Sequence, residues 1–244
     1  MTLDDAESPD GSDKGDQPST DERARERFDR IYNTLRIRIC LLDYPPGQRL
    51  REEDLAEEFG VSRTPIRRVL VKLEAESLLR SVHGVGTIVT DIEVEELEQV
   101  YQLRLELAQL IGKLSPVAPD AAKIAAFRSL LARCEALLGK PDAREFARIN
   151  MDFFHLLNSL TANEPLREIS ERLYYQTTRI WLKTASRLSQ YTELLLNEIR
   201  IFHREVADIV DAVEVGDLQV VGYIRRAHIS MSYLRLRNES RRSS

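Results

Sequence analysis

Residues 46–76 read PGQRLREEDLAEEFGVSRTPIRRVLVKLEAE, and this stretch decides what kind of chain surrounds it. Leu55, Ala56 and Phe59 give a first helix one apolar edge. Gly60 ends it, because a residue without a Cβ takes a left-handed turn at little cost. Ser62 is placed to cap a second helix by accepting a first-turn N–H bond. Pro65 falls in that same turn, where a missing N–H does no harm. Ile66, Val69, Leu70 and Leu73 recur at i, i+3, i+4 and i+7, so one face turns inward. Arg63, Thr64, Arg67 and Arg68 are left on the other face, at the N-terminal end. Free N–H groups and the helix dipole draw anions to that end, and arginine adds a planar donor fork matched to guanine O6 and N7 or to phosphate. A helix-turn-helix of this kind enters the major groove of DNA. An arginine-rich helix alone is usually a solvated surface; here the glycine, cap, proline and flanking segments agree on DNA.

Upstream, Phe28, Ile31, Tyr32, Leu35, Ile39 and Leu42 form a helical stripe that the two short helices can cover. Downstream, Leu78–Val82 and Thr87–Val89 read as two short strands joined by His83-Gly84-Val85-Gly86. Three helices and a hairpin make a winged helix-turn-helix over residues 23–91. His83 and Gly84 at the wing tip stand where the minor groove or its phosphates would lie, while composition alone favours a solvent-exposed turn histidine.

The formal charge of −5 over 244 residues does not contradict DNA binding, because it is a property of one end. Residues 1–22 hold eight acidic residues against Lys14, residues 23–91 hold 13 basic and 11 acidic residues, and the remainder is balanced. The segment 1–22, rich in Asp, Ser and Gly, is expected to be a disordered acidic tail, with a second disordered tail at 238–244. No apolar run reaches membrane-spanning length and the N-terminus is no secretory leader, so a cytoplasmic protein without a membrane partner is expected. Cys40 and Cys134, isolated on apolar helical stretches, are expected to be buried thiols.

From residue 92 the sequence reads as helix throughout, in six stretches: 93–115, 118–138, 142–162, 164–187, 190–213 and 216–237. The breaks carry Pro116 and Pro119, Gly139 and Pro141, Asn163 and Pro165, and Gly216-Asp217. The expected fold is mostly α: a winged helix-turn-helix followed by an antiparallel six-helix bundle over 92–237.

Pro46-Gly47, Leu50, Leu55-Ala56, Phe59 to Arg67, Leu70 and Leu73 resemble the winged-helix signature of the GntR transcriptional regulators, although many relatives carry glycine at Ser77 and Glu-Ala at Arg68-Val69. The resemblance implies DNA contacts at Arg51, Arg63, Arg67 and Thr64, and in some members at a wing pair like His83-Gly84. With Ser62 and Arg68 added, these form the candidate DNA-binding set. More loosely, Tyr101-Gln102-Leu103-Arg104, Phe154-His155, Asp211-Ala212-Val213, Gly216-Asp217 and His228-Ile229 resemble the FadR-type branch, whose all-helical FCD domain binds an effector and dimerises.

In the bundle, Arg104 shares an apolar stripe with Leu97, Tyr101, Ala108 and Ile111. A buried guanidinium is costly unless an anion meets it. Two readings stand: a clamp for an effector carboxylate or phosphate, assisted by Tyr101 and Arg179, or an internal salt bridge to a glutamate. Asp152 precedes His155 by three residues on one helix face, and His203 and His228 sit on apolar stretches. Three histidines and a carboxylate suit Zn²⁺ or a similar divalent ion. The resemblance implies such a metal in many members, but this chain has Met151 and Val206 where their pattern has ligands. Either Asp152 and His203 rebuild the site or the metal is lost.

Two functional classes follow. One is a homodimeric regulator, in which paired winged helices read an inverted-repeat operator in double-stranded DNA and a small effector sets the affinity; repression is the mode the resemblance implies. A variant of it has a helical domain that only dimerises. The other is a metal-dependent hydrolase built on the bundle histidines, against which stands the lack of HExxH, a nucleophile elbow, a phosphate loop or CxxC.

Overall fold

In the computed structural model, which describes residues 20–91, 94–185 and 191–243, the first apolar stripe becomes helix α1 (Thr20–Cys40). Of the expected acidic tail, residues 1–19 lie outside the described range, whereas Asp21 and Glu22 open α1. Their charge suits a helix start. Helices α2 (Glu52–Phe59) and α3 (Arg63–Ala75) cover the stripe, with Ile31, Leu35, Ile39, Ile66, Val69 and Leu73 inaccessible to solvent. Gly60 ends α2 at φ 63°, ψ 41°, the left-handed turn that its missing Cβ allows. Beyond α3 the chain turns at Ser77, which takes φ 63° although it is not glycine.

The wing is a hairpin of β2 (Leu79–Val82) and β3 (Gly86–Val89). A third strand, β1 (Arg49–Leu50), pairs antiparallel with β3, so the sheet order is β1-β3-β2. Two residues are too few to show alternation, and for that reason sequence periodicity missed it.

The six expected helical stretches are present. After a 3₁₀ turn (Val94–Leu97) come α4 (Glu98–Leu110), α5 (Ala121–Gly139), α6 (Ala143–Asn158), α7 (Glu164–Ala185), α8 (Tyr191–Glu214) and α9 (Leu218–Ser243). Asp120 and Asp142 cap α5 and α6 by accepting from the N–H groups of Lys123 and Glu145. Helix α9 continues to Ser243, through residues expected as a tail. No helix among the described residues is long and apolar enough to cross a membrane.

Beside a small apolar cluster joining α4 to α9 through Tyr101, Ala108, Ile229 and Tyr233, two larger cores form among the described residues. One lies inside the bundle, around Phe127, Phe153, Ile199 and Val206. The other is shared: the winged-helix core includes Met151 and Phe154 of α6 and Tyr174, Tyr175 and Leu182 of α7. The helical domain thus completes the core of the DNA-reading module. Both predicted thiols are buried and free, and burial pushes Cys40 and Cys134 each up to about 12.

Helices α4 and α9 approach closely at Gly112, just beyond α4. A Cβ there would lie 1.9 Å from the Leu218 carbonyl oxygen, a backbone atom that cannot swing aside. Gly112→Ala is expected to cost about 1–3 kcal/mol through forced separation of the two helices, read as a lower urea midpoint.

Candidate nucleic-acid interface and ligand cavity

The DNA-reading candidates share one surface. Arg51, Ser62, Arg63, Thr64, Arg67 and Arg68 are all exposed around the N-terminus of α3, and His83 and Gly84 are exposed at the wing tip. Gly84 there takes φ 76°. Ser62 has the extended backbone of an N-cap, but its hydroxyl makes no capping bond, which leaves first-turn N–H groups to face an external anion. Arg68 turns back toward α1, its guanidinium 5.6 Å from the Phe28 ring centroid. Arg63 and Arg67 both reach Glu52 on α2, a carboxylate that pattern reading overlooked because its partners lie 11 and 15 positions away on the next helix.

A cavity of about 110 Å³ lies inside the bundle. Arg104 and Tyr101 line it from α4, with Tyr174 and Thr177 from α7. Arg104 Nη1 donates to Thr177 Oγ1 at 2.5 Å, and its guanidinium stands 5.3 and 5.5 Å from the rings of Tyr101 and Tyr174. Among the described residues it has no carboxylate in ion-pairing range, so the internal-salt-bridge reading does not hold. Burial pulls its pKa below the usual range, and the nearby Arg225 pushes the same way. The Tyr174 hydroxyl is buried without a geometric hydrogen-bond partner. Packed face to face on Phe154, with centroids 4.0 Å apart, it is raised well above the ordinary phenol range by that burial.

The cavity's other charges are satisfied. Arg225 donates to Glu205 at 2.5 Å, with side chains only 9% and 5% exposed. Arg235 grips Glu198 through Nε and Nη2 at 2.6 and 3.0 Å. Three arginines therefore face two glutamates, and Arg104 is the one left over. None of these pairings was legible beforehand, because each joins residues tens of positions apart.

Arg179 does not join the cavity. It lies two residues past Thr177, on the far side of α7, where it donates to Thr90 Oγ1 in the segment after the wing. Nor do the four metal candidates converge. Met151 faces inward, buried in the shared core, which turns Asp152 outward to bond Arg133 at 2.7 Å. His155 borders an open groove beside Asp152, with Nε2 2.7 Å from the Tyr175 hydroxyl. His228 lines the cavity, Nδ1 3.7 Å from Glu205 Oε2, and His203 on α8 lines neither space. Among the described residues no three His, Cys, Asp or Glu side chains are grouped to hold a metal, so this donor set does not fit one.

Residues 28–89 match the family described as bacterial regulatory proteins, gntR family, and residues 99–231 match the FCD domain. The uncharacterized HTH-type transcriptional regulator YdhC of Bacillus subtilis is 30% identical over 144 residues, 59% of this chain and 64% of that protein, a little under two thirds of its length. The Nta operon transcriptional regulator of Aminobacter aminovorans is 30% identical over 166 residues, 66% of this chain and 78% of the relative. The solved structure of Escherichia coli McbR/YncC superposes with a TM-score of 0.73 at 19% identity, over 87% of this chain and 97% of that one. A GntR regulator from Rhodococcus sp. RHA1 gives 0.67 at 17%, over 87% and 98%. At such identities the structural likeness speaks for the fold.

Two of the three cavity arginines are expected to answer replacement in opposite directions. Arg225→Met strands Glu205 as a buried, unpaired carboxylate and should cost about 3–5 kcal/mol. Arg104→Met removes a half-buried cation with no carboxylate in ion-pairing range and should raise stability by about 1 kcal/mol. Urea unfolding of both beside the parent checks the pair; a loss with Arg104→Met would make that residue structural.

Proposed function

The chain belongs to the GntR family of bacterial regulatory proteins, with an FCD domain behind its winged helix, and on that premise we propose that it is a homodimeric repressor whose hold on DNA is set by a small monoanionic ligand. It is a regulator and not an enzyme: the matching gntR family and the YdhC and Nta operon relatives are described as regulatory, and none as a hydrolase.

Arg104 carries the ligand half of the proposal. A guanidinium held in a cavity by a hydroxyl and two rings, none of them charged, is a site prepared for an anion. The three-to-two balance of arginines and glutamates favours one negative charge over two. Size narrows the choice further. A cavity of roughly 150 Å³ admits benzene, so about 110 Å³ suits a compact carboxylate whose apolar part meets Phe146, Phe202 and Leu236. The ligand's reach to DNA would run through α7, which contributes Thr177 and Tyr174 to the cavity and Tyr175 to the shared core.

The dimer half rests on the outer face of α4 and α9. Leu103 and Leu114 near α4 and Val220, Tyr223, Met231 and Leu234 on α9 are exposed. With the exposed Ala227 between Tyr223 and Met231, the α9 residues follow a three-and-four spacing, the seam of a helix that lacks its partner. A second copy supplies the matching face by two-fold symmetry, and paired winged helices would read an inverted-repeat operator.

Two measurements test these halves. Thermal unfolding of the parent chain against a panel of short monocarboxylates should show a midpoint rise for at least one acid, and Arg104→Met should abolish that rise while keeping DNA binding; no response to any anion would sink the ligand reading. Met231→Glu combined with Leu234→Glu should convert a dimer to a folded monomer in sedimentation velocity, and an unchanged mass would place the interface elsewhere.

A further inference from the structure

The two arginines leading the outer face of α3 are not loose in solvent. Glu52, the first residue of α2, takes both: its carboxylate accepts from Arg67 Nε and Nη2 at 3.0 and 2.9 Å and from Arg63 Nε and Nη2 at 3.4 and 3.2 Å. Its side chain is 22% exposed, against 55% for Arg63 and 63% for Arg67. Its neighbour Glu53 pairs with Arg63 alone, at 2.9 Å, and is itself 62% exposed. The hydrogen bond from Arg67, then that from Arg63, holds Glu52 below the usual carboxylate range, so it is ionised at neutral pH.

A carboxylate in the middle of a surface meant for a polyanion weakens attraction to every DNA sequence alike. It brings geometry in return. Two long side chains on successive turns of α3 are tied to one anchor on α2, which fixes their separation and the planes of their forks. Base recognition by arginine depends on that geometry, since the bidentate match to guanine tolerates little misplacement, whereas phosphate attraction needs only charge. Glu53, with one contact and high exposure, cannot set both arginines.

Resting on the reading of α3 as the DNA-reading helix, we propose that Glu52 is a positioning residue for base recognition, which aligns Arg63 and Arg67 before DNA arrives and exchanges non-specific affinity for discrimination. The test compares Glu52→Ala with Glu53→Ala, which remove the same charge from the same helical turn. Duplexes are first selected from a randomised pool by the full unaltered chain. Affinity is then measured for the selected duplex and a scrambled one over a salt series. Both variants are expected to bind the scrambled duplex more tightly than the parent. Only Glu52→Ala is expected to lose the selected-to-scrambled ratio, by about tenfold. Equal ratios in the two variants, with Arg67→Ala losing the ratio, would overturn the role of Glu52 and leave α3 as the reader. An unchanged ratio in Arg67→Ala would overturn the reading of α3, and this inference with it.

Discussion

Arg36 is the interaction on which the joining of the two domains depends. It projects from α1 with 7% of its surface exposed, and a charge that far from water needs a counter-charge and acceptors close by. The winged helix meets it with the Tyr32 hydroxyl at 2.8 Å and Asn33 Oδ1 at 2.9 Å. The bundle meets it with Glu171 at 2.7 Å and the Tyr175 ring, whose centroid lies 3.9 Å from the guanidinium carbon. Neither domain satisfies Arg36 alone. Lifting the winged helix off α7 would leave a buried cation and a carboxylate without each other, and would open the apolar core that both domains share. Arg144 to Asp43 adds an open pair at the edge of the seam, where screening keeps its worth small, and the largely covered Lys183 adds another to Asp91.

This seam gives α7 two jobs. Glu171, Tyr175, Arg179 and Lys183 recur every four residues and face the winged helix and the segment after it. Tyr174, Thr177 and Thr178 face the cavity. A helix is stiff along its axis, so a small turn or shift demanded on one face is felt on the other. A ligand acts at a distance only by holding one arrangement better than another, and a cavity wall that is also a domain interface is where such a difference has consequences.

What the sequence disclosed and what it withheld follow from range. The reading helix, its glycine turn and the six bundle helices are written in spacings of three, four and seven residues, and their inward faces are buried where the pattern put them. Strand β1 escaped because two residues carry no period. Arg104 was legible as a charge on an apolar stripe, yet its meeting with Thr177, 73 positions away, was not. Arg179 was misplaced because membership of a helix does not state which face a residue takes, and two positions along α7 are half a turn. The metal candidates failed for the same reason: with Met151 inward, Asp152 must point out. Glu52 went unnoticed because its part is played against residues of the next helix, not within its own.

The partners of four inward-facing arginines separate structure from function. Arg36 and Arg225 each hold a carboxylate at 2.7 Å or less, and each ties elements together. Arg104 and Arg179 hold threonine hydroxyls instead, and burial lowers the pKa of both. Among the described residues, Arg179 Nη1 has no hydrogen-bond partner, as is also true of Arg36 Nε, but only Arg36 has a carboxylate on its remaining nitrogens. A buried cation bonded only to a hydroxyl is partly compensated, and the fold bears that cost in its present arrangement. The two sit at opposite faces of α7, one reaching in from α4 across the cavity, the other reaching out to Thr90 behind the wing. An arrangement in which both were fully paired would be deep and rigid. One in which both are underpaired is shallow enough for an anion at Arg104 to favour a different setting of the helix, and Arg179 would feel that change first. On the proposed reading, the same unpaired charge that would draw an anion into the cavity also leaves the domain junction able to respond.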